Sequence, residues 1–234
     1  MKKIYTAIES HDLAKVTELL KHGVSPNITA EDGTTPLLLA FRYDEPIFRL
    51  LLDAGANPGI PVHVKFPTAG ILLPGESVLT LAAAANAPWF EILTEFPMDV
   101  NHRGYRGDTV THRIVHALAL PPVKMPRMEW IVKHGADLSL KNEDNETPLI
   151  MSLHGGPIMV NFLVDAGGTP DDRNEFERII RLFQERVTRA KQKSDQPLAS
   201  MYASILEHLY QAYRAKFGTA FSLQSGIETP LRAE

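Results

Sequence analysis

The sequence lacks the residues and patterns on which several classes of function depend. It has no cysteine among its 234 residues, which excludes disulfides, thiolate nucleophiles and cysteine-ligated metals. It also lacks G-x-S-x-G, G-x-x-x-x-G-K-[ST], G-x-G-x-x-G and H-E-x-x-H, the motifs of serine hydrolases, phosphate-binding loops, dinucleotide-binding folds and zinc peptidases. These absences favour a binding protein, and we predict no catalytic residues.

Strong charge and long apolar runs are missing as well. The net charge of −4 does not provide the basic face of a general nucleic-acid binder. No segment approaches the roughly 20 apolar residues of a membrane span, and the opening MKKIYTAIESH lacks the apolar core of a signal peptide. We therefore expect a cytoplasmic protein, although export without a classical signal would escape this test.

What the sequence does contain is a recurring segment. In each copy a short apolar helix ends in Gly or Pro, and a small residue and then Asp or Asn follow in most copies. The copies lie at 16–27, 48–59, 90–101, 129–140 and 161–172. Their turn residues are separated by 32, 42, 38 and 32 positions, at Gly23, Gly55, Pro97, Gly135 and Gly167.

A second recurring segment precedes four of these copies, at 32–41, 75–84, 107–117 and 144–153. Each has a turn pair, then Ser or Thr, then Pro or Val, then an apolar helix. Ser or Thr caps a helix N-terminus, Pro fits the first helical position, and Gly ends the partner helix in a left-handed turn. The two segments together predict a repeated pair of helices.

This pattern resembles the ankyrin repeat, which reads approximately D-x-x-G-x-T-P-L-H-x-A-A, a second helix, then G-A-D-x-N. The best matches are residues 32–40 with 51–57, and 147–149 with 162–167. Only His112 occupies the family's histidine position, and there Val110 replaces the proline. The resemblance implies an all-α solenoid of stacked helix–turn–helix units over about residues 3–170.

Within this array the resemblance implies an N-terminal cap at 3–27 and four repeats at about 30–58, 73–101, 104–140 and 142–170. The inserted loop 59–75 is rich in apolar residues and either folds back onto the array or forms a binding patch. The prolines of 118–128 are expected to lengthen the link between the two helices of their repeat.

After the array, two amphipathic patterns predict a helix pair over 171–218, followed by a loosely ordered tail at 219–234. A repeat stack needs its last apolar face covered, so we interpret the pair as a C-terminal helical cap. The alternative is that its aromatic stripe or its basic face binds a partner. That basic face comprises Arg178, Arg181, Arg186, Arg189 and Lys193.

The histidines are the main candidates for metal or catalytic chemistry. His22 and His134 precede helix-ending glycines, where a hydrogen-bonding side chain stabilises the helix end. His112 and His116 have the i, i+4 spacing of metal ligands, but no further His or carboxylate cluster is in register with them. The resemblance implies that His112 bonds neighbouring loop backbone. We predict no metal and no cofactor.

In ankyrin repeats, recognition usually involves the turn tips and the ends of the first helices on the concave face. Tyr and Arg are enriched at interface hot spots, which places Tyr43, Tyr105 and Arg106 first. The full set of expected partner-binding residues is Glu31, Asp32, Arg42, Tyr43, Arg103, Tyr105, Arg106, Asp108, Glu143, Asp144 and His154.

These features predict a non-catalytic module that binds another protein, for example an inhibitor or immunity-type protein from a bacterium, with no small-molecule substrate. Three alternatives stay open. The first is a secreted effector directed at a host, the second is an enzyme with an unrecognised site, and the third is a regulator whose basic C-terminal helix binds acidic surfaces. The last would require binding to nucleic acid or membrane, which the overall charge does not favour.

Overall fold

The protein is all-helical in the residues that the structure, a computed structural model, describes: 2–31, 33–41, 44–62, 75–85, 88–117, 121–153 and 157–218. These residues form twelve α-helices and a short 3-10 turn, with no strand beyond a single bridge between Arg103 and Thr109. The expected all-α class is therefore confirmed. No helix in the described ranges combines the length and the apolar character that crossing a membrane requires.

The chain divides into two compact units, Met1–Ser152 and Leu153–Glu234. The helices of the first unit are α1 Lys2–Glu9, α2 Leu13–Lys21, α3 Pro36–Phe41, α4 Glu45–Asp53, α5 Val78–Ala84, α6 Trp89–Leu93, α7 Val110–His116, α8 Pro121–Lys133 and α9 Pro148–Ser152. They pack as successive pairs. Helix α1 contacts α2 and α3, α3 contacts α4 and α5, α5 contacts α6 and α7, and α7 contacts α8 and α9.

The first helices of the pairs begin as the sequence predicts. The hydroxyl oxygens of Thr35, Ser77, Thr109 and Thr147 each accept the backbone N–H three residues further on, at 3.1–3.5 Å. Such caps satisfy N–H groups that have no partner within the helix. Two residues after each cap, the side chain is buried in the stack: Leu37, Leu79, Thr111 and Leu149.

The second helices end at glycines in the left-handed conformation, with φ of 84–87° at Gly23, Gly55, Gly135 and Gly167. Each glycine N–H donates to the carbonyl three residues back, and the next residue donates to the carbonyl five residues back. Pro97 has no N–H and makes no such closure. Helix α6, with five residues, ends four residues before Pro97, whereas α2 and α4, with nine each, end two residues before their glycines.

The expectation that prolines lengthen the link between α7 and α8 is wrong. Helix α8 begins at Pro121, where a missing N–H removes no helical bond, and continues through Pro126 to Lys133. The extra residues of this repeat therefore extend its second helix, which has 13 residues.

The second unit contains α10 Pro157–Asp165, α11 Arg173–Gln192 and α12 Gln196–Phe217. Helix α12 packs against both α10 and α11. Asp172 and Asp195 cap α11 and α12, and Gly218 ends α12 with φ 68°. The predicted apolar stripes form the core of this unit, with Phe176, Ile179, Ile180, Phe183, Ile205, Leu209 and Tyr213 buried.

Candidate protein-binding surface

Three turns of the first unit, at 30–34, 104–108 and 142–146, share one pattern of backbone hydrogen bonds. In each, the first N–H donates to the fifth carbonyl, at 2.9, 2.8 and 3.0 Å, and the fourth N–H donates to the first carbonyl, at 2.9, 3.1 and 3.0 Å. The fourth residue is left-handed in all three, with φ of 82° at Gly33, 71° at Gly107 and 61° at Asn145. The sequence repeat is therefore also a repeat in backbone geometry.

The second and third of these turns are bonded directly to each other. The N–H of Glu143 donates to the carbonyl of Arg106 at 2.8 Å. The Arg103 guanidinium spans both turns, since its Nη1 donates to the carbonyl of Gly107 at 3.1 Å and to that of Lys141 at 2.7 Å. These bonds fix the position of one turn relative to the other.

A buried amide–carboxylate contact adds to this connection. The Nδ2 of Asn142 donates to Oδ1 of Asp108 at 2.9 Å, and Asp108 is only 8% exposed. The Oδ1 of Asn142 accepts the N–H groups of Asp144 and Glu146. Asp108, which the sequence places among the partner-binding residues, thus lies inside the paired turns.

The side chain of His112, in the first turn of α7, also hydrogen-bonds to the turn 142–146. Its Nδ1 accepts the N–H of Thr109 at 3.1 Å, so the proton lies on Nε2, which donates to the carbonyl of Glu146 at 2.9 Å. The side chain is fully buried, and this burial lowers the pKa of its imidazole. Both ring nitrogens are occupied, so His112 has no lone pair to offer a metal together with His116.

The side chains left at the surface of the paired turns define what we call the tip surface: Arg103, Tyr105, Arg106, Glu143 and Asp144. Tyr105 is half-buried and the other four are exposed. Arg106 and Asp144 form an ion pair across the two turns, with side chains 51% and 43% exposed. At that exposure the pair contributes about 0.2–1 kcal/mol, too little to account for the arrangement of the turns.

Arg106 adopts a backbone conformation that disfavours its own side chain. Its φ is 55° and its ψ 26°, in the left-handed region, where a residue with a Cβ costs about 1–2 kcal/mol relative to the right-handed conformation. The Glu143 N–H bond to its carbonyl helps to hold this conformation. A strained residue at an exposed position is an observation that supports a functional role for its side chain.

A buried group of charges lies behind the turns. Glu76 is inaccessible to solvent, its Oε2 accepts the Thr80 hydroxyl at 2.6 Å, and its Oε1 lies 3.0 Å from Nη2 of Arg113. Nη1 of Arg113 is 3.8 Å from Asp108. Burial raises the pKa of the Glu76 carboxyl, and the Arg113 guanidinium and the Thr80 hydroxyl oppose the shift.

The remaining expected site residues are placed as follows. Glu31 is exposed on the first turn, 30–34. Asp32, Arg42, Tyr43 and His154 lie outside the described residues, as do 63–74 of the inserted loop and the tail 219–234. The ends of the insert are joined, because the Val62 N–H donates to the Glu76 carbonyl at 2.7 Å and the Gly75 N–H to the Val62 carbonyl at 2.9 Å.

Sequence reasoning missed Asn142 and Glu76 as the residues that organise this surface. Asn142 stands at the first position of its turn, where an amide that accepts from the following N–H groups is a common signal. Glu76 precedes the helix cap Ser77 and looks like an exposed turn residue in the sequence. Nothing local in the sequence indicates that the next repeat supplies Arg113.

The other histidines of the second helices act as the sequence predicts. His22 donates from Nδ1 to the Glu18 carbonyl at 2.7 Å, and His134 donates to the Trp130 carbonyl at 2.7 Å, one turn earlier in each helix. Across the described ranges, no three His, Asp or Glu side chains are grouped so as to hold a metal ion.

The basic face of α11 is partly neutralised within its own helix. Arg181 and Arg189 pair with Glu177 and Glu185, four residues earlier. The Arg186 guanidinium donates to the Leu153 carbonyl and lies 5.8 Å from the centroid of the Phe183 ring. These contacts do not favour the alternative in which this face binds nucleic acid or an acidic membrane.

Comparison of the chain with family models and with curated proteins finds no match.

Proposed function

We propose that the protein is a non-catalytic, ankyrin-like repeat protein that binds another protein through the tip surface. Successive helix pairs with capped first helices, glycine-ended second helices and recurring turns support the ankyrin-like assignment. A cytoplasmic location, a bacterial source and an inhibitor or immunity-type role belong to the same proposal and derive from the sequence.

The observation that carries the proposal is that one set of groups holds the paired turns together, while a different set of side chains is left at their surface. Backbone groups and the buried Asp108, His112 and Asn142 hold the turns together. The tip surface is left with a half-buried Tyr105 beside the exposed Arg106, residue types that dominate binding energy at protein interfaces. Arg106 also keeps its strained backbone, which its weak ion pair with Asp144 does not explain.

The test uses Arg106→Gly, because glycine adopts the left-handed conformation without strain. We expect the free energy of unfolding to stay unchanged or to rise by up to about 1 kcal/mol. Capture of the partner from a lysate of the native organism, quantified by mass spectrometry, should fall at least about tenfold, which corresponds to 1.4 kcal/mol. Loss of binding without loss of stability separates a contact role from unfolding.

Two further variants complete the experiment. Tyr105→Ala should weaken capture of the same protein, since it removes the apolar contact beside Arg106. Arg189→Ala is the matched control, because Arg189 is also an exposed arginine in an ion pair but lies on α11 of the second unit. If both tip variants capture the partner as well as Arg189→Ala does, the tip surface is not the interface.

A further inference from the structure

A second candidate site lies where the second helices of neighbouring pairs end. After α2 and α4, the Asn27 carboxamide links two pairs: its Nδ2 donates to the Gly55 carbonyl at 2.9 Å, and its Oδ1 accepts the Asn57 N–H at 2.7 Å. The Asn101 carboxamide does the same with the Gly135 carbonyl, at 3.2 Å, and the Asp137 N–H, at 2.8 Å. At each of these junctions, one carboxamide both donates and accepts.

The junction between α4 and α6 lacks this link. Asn57 occupies the bridging position, but its Oδ1 accepts the N–H of its own loop residue Gly59 at 2.9 Å. Pro97 and Asp99 stand where the other junctions have the accepting carbonyl and the donating N–H. In the portion of the chain that is described, no hydrogen bond reaches Nδ2 of Asn57, the Pro97 carbonyl or the Asp99 N–H.

A partly open cleft of about 460 Å³ occupies this junction, lined by residues 57–59, Leu79, residues 97–99 and His102. Nε2 of His102 is buried and has no hydrogen-bond partner among the residues that the structure describes. Burial lowers the pKa of the His102 imidazole, so the ring is neutral at pH 7 and offers one donor and one acceptor. Met98 and Leu79 contribute apolar wall to the same cleft.

We infer that this cleft binds a primary carboxamide, the group that asparagine side chains supply at the two neighbouring junctions. By equivalence with those junctions, the Asp99 N–H donates to the ligand oxygen and the Pro97 carbonyl accepts a ligand N–H. The ring of His102 and the Nδ2 of Asn57 supply further polar contacts, and Leu79 and Met98 contact the carbon atoms attached to the amide. The ligand then gives a partner to Nε2 of His102, the buried polar atom of the cleft that lacks one among the described residues, and replaces water at the exposed groups of Asn57, Pro97 and Asp99.

The experiment is a two-dimensional NMR titration of the full chain with N-acetylasparagine N′-methylamide. The matched control ligand is N-acetylaspartate N′-methylamide, which has the same shape but no N–H₂ donor and is repelled by Asp99. We expect saturable shifts of the Asn57, Asp99 and His102 signals by the asparagine ligand alone, with a dissociation constant on the order of 1 mM. Equal shifts with both ligands, or no saturable shift, would overturn the inference.

Two additional arms define the ligand further. If propanamide binds as tightly as the capped asparagine, the site is assigned to free amides. If propanamide binds more weakly, the site is assigned to asparagine or glutamine side chains of a peptide. His102→Ala should weaken binding of the capped asparagine at least fivefold, while NMR signals outside the cleft stay in place. The control is His22→Ala, which replaces an exposed histidine at the C-terminal end of α2 and should leave the affinity unchanged. Wild-type affinity in His102→Ala would contradict the assignment of the cleft.

Discussion

The side chain of His112 contributes to stability in three ways. It completes the cap of α7 through Thr109, it is fully buried, and it donates to the Glu146 carbonyl of the next turn. We expect His112→Ala to lower the free energy of unfolding by about 2–4 kcal/mol, because it leaves a cavity, removes the acceptor of the Thr109 N–H and removes one of the two hydrogen bonds to the Glu146 carbonyl. Urea denaturation measures this change.

The matched control for that prediction is His22→Ala. His22 is exposed and bonds only to the Glu18 carbonyl of its own helix among the described contacts, so its removal should cost less than about 1 kcal/mol. Equal losses for the two variants would show that the link from His112 to the neighbouring turn contributes nothing.

Glu76 should give the protein a characteristic dependence on pH. Its pKa is raised above 4.5 by burial, so between 4.5 and the folded-state pKa the folded protein holds a proton that the unfolded chain has released. The stability contributed by Glu76 is complete below pH 4.5 and declines as the pH rises through the folded pKa. Gln does not titrate. The free energy of unfolding of Glu76→Gln, minus that of wild type, should therefore increase with pH across this window.

Glu18→Gln provides a control of opposite sign. The Lys15 ammonium, which hydrogen-bonds the exposed Glu18 carboxylate, lowers the pKa of that group. The stability contributed by Glu18 is present above pH 4.5 and is lost as the pH falls. The free energy of unfolding of Glu18→Gln, minus that of wild type, should therefore decrease with rising pH up to about 4.5 and then stay level. The two pKa assignments would be contradicted if the free energy of unfolding relative to wild type increased with pH for Glu18→Gln, or did not change with pH for Glu76→Gln.

Sequence patterns identify residues whose roles depend on their own helix or turn. The caps Thr35, Ser77, Thr109 and Thr147 are of this kind, because each acts on an N–H three residues away. Asp108 and Glu76 show the limit. Both look like exposed turn residues in the sequence, yet Asn142 and Arg113, from 34 and 37 positions further on, turn them into buried partners. Such pairing is decided by the packing of neighbouring repeats.

At the scale of helices, Arg127 connects three elements. Located on α8 and only 3% exposed, it donates from Nη1 to the Ala85 carbonyl at 2.6 Å, at the end of α5, and forms two bonds with Glu91 of α6 at 2.7 and 3.0 Å. We expect Arg127→Ala to lower the free energy of unfolding by about 3 kcal/mol, since it leaves carbonyls at the α5 end unpaired and a cavity beneath α8. Thermal or urea unfolding measures the loss.

Arg49→Ala is the control for this helix contact. Arg49 pairs with Glu45 and Glu95 and thus has two acidic partners, but its side chain is 37% exposed. Solvent screens exposed ion pairs, so they contribute little to stability and the replacement of Arg49 should be tolerated. A loss for Arg49→Ala as large as that for Arg127→Ala would mean that charge pairing, and not burial at the α5 end, determines the effect.

The helix boundaries follow from local sequence wherever Thr, Ser, Pro or Gly stands at a helix end. They deviate at α6 and α8 for reasons that are also local. Pro97 lacks the N–H that closes the other second helices, and α6 ends at Leu93, four residues before it. In α8, Pro121 and Pro122 occupy the first turn of a helix, where proline is favoured, although the same residues in sequence resemble a linker. The presence of proline alone does not distinguish a helix start from a linker.

At the scale of the whole first unit, the main contacts of each helix pair are with the adjacent pairs. Stability in such an array is a sum of local terms, so destabilisation at one end stays local. Ile8→Ala, which truncates a buried residue of α1, should reduce amide protection chiefly in α1 and in the helices that α1 contacts, α2 and α3, as measured by hydrogen exchange with mass spectrometry.

The matched variant is Ile114→Ala in α7, which truncates a residue that is also fully buried, in a helix that contacts α5 on one side and α9 on the other. It should reduce protection in α5 and α9 as well as in its own pair. If Ile8→Ala reduces protection uniformly from α1 to α9, the unit unfolds as one cooperative block and not as an array of pairs.

For the candidate site, the sequence identifies the turns but not their relation to one another. Repeat spacing places Arg106 and Asp144 at equivalent positions 38 residues apart. Their ion pair, however, follows from the bond between the Glu143 N–H and the Arg106 carbonyl and from the left-handed backbone of Arg106. These depend on how one repeat sits against the next, and the sequence of a single turn does not contain that information.

The bonding of the two turns to each other has a consequence for the kinetics of association. Loops that order only on binding lose conformational entropy at that moment, whereas these turns have already lost it in folding. If the tip surface binds a partner as proposed, complex formation then needs no slow loop rearrangement, and the charges of the surface influence how fast the partner arrives. For a surface bearing Arg103, Arg106, Glu143 and Asp144, the association rate constant should respond to ionic strength while the dissociation rate constant changes little.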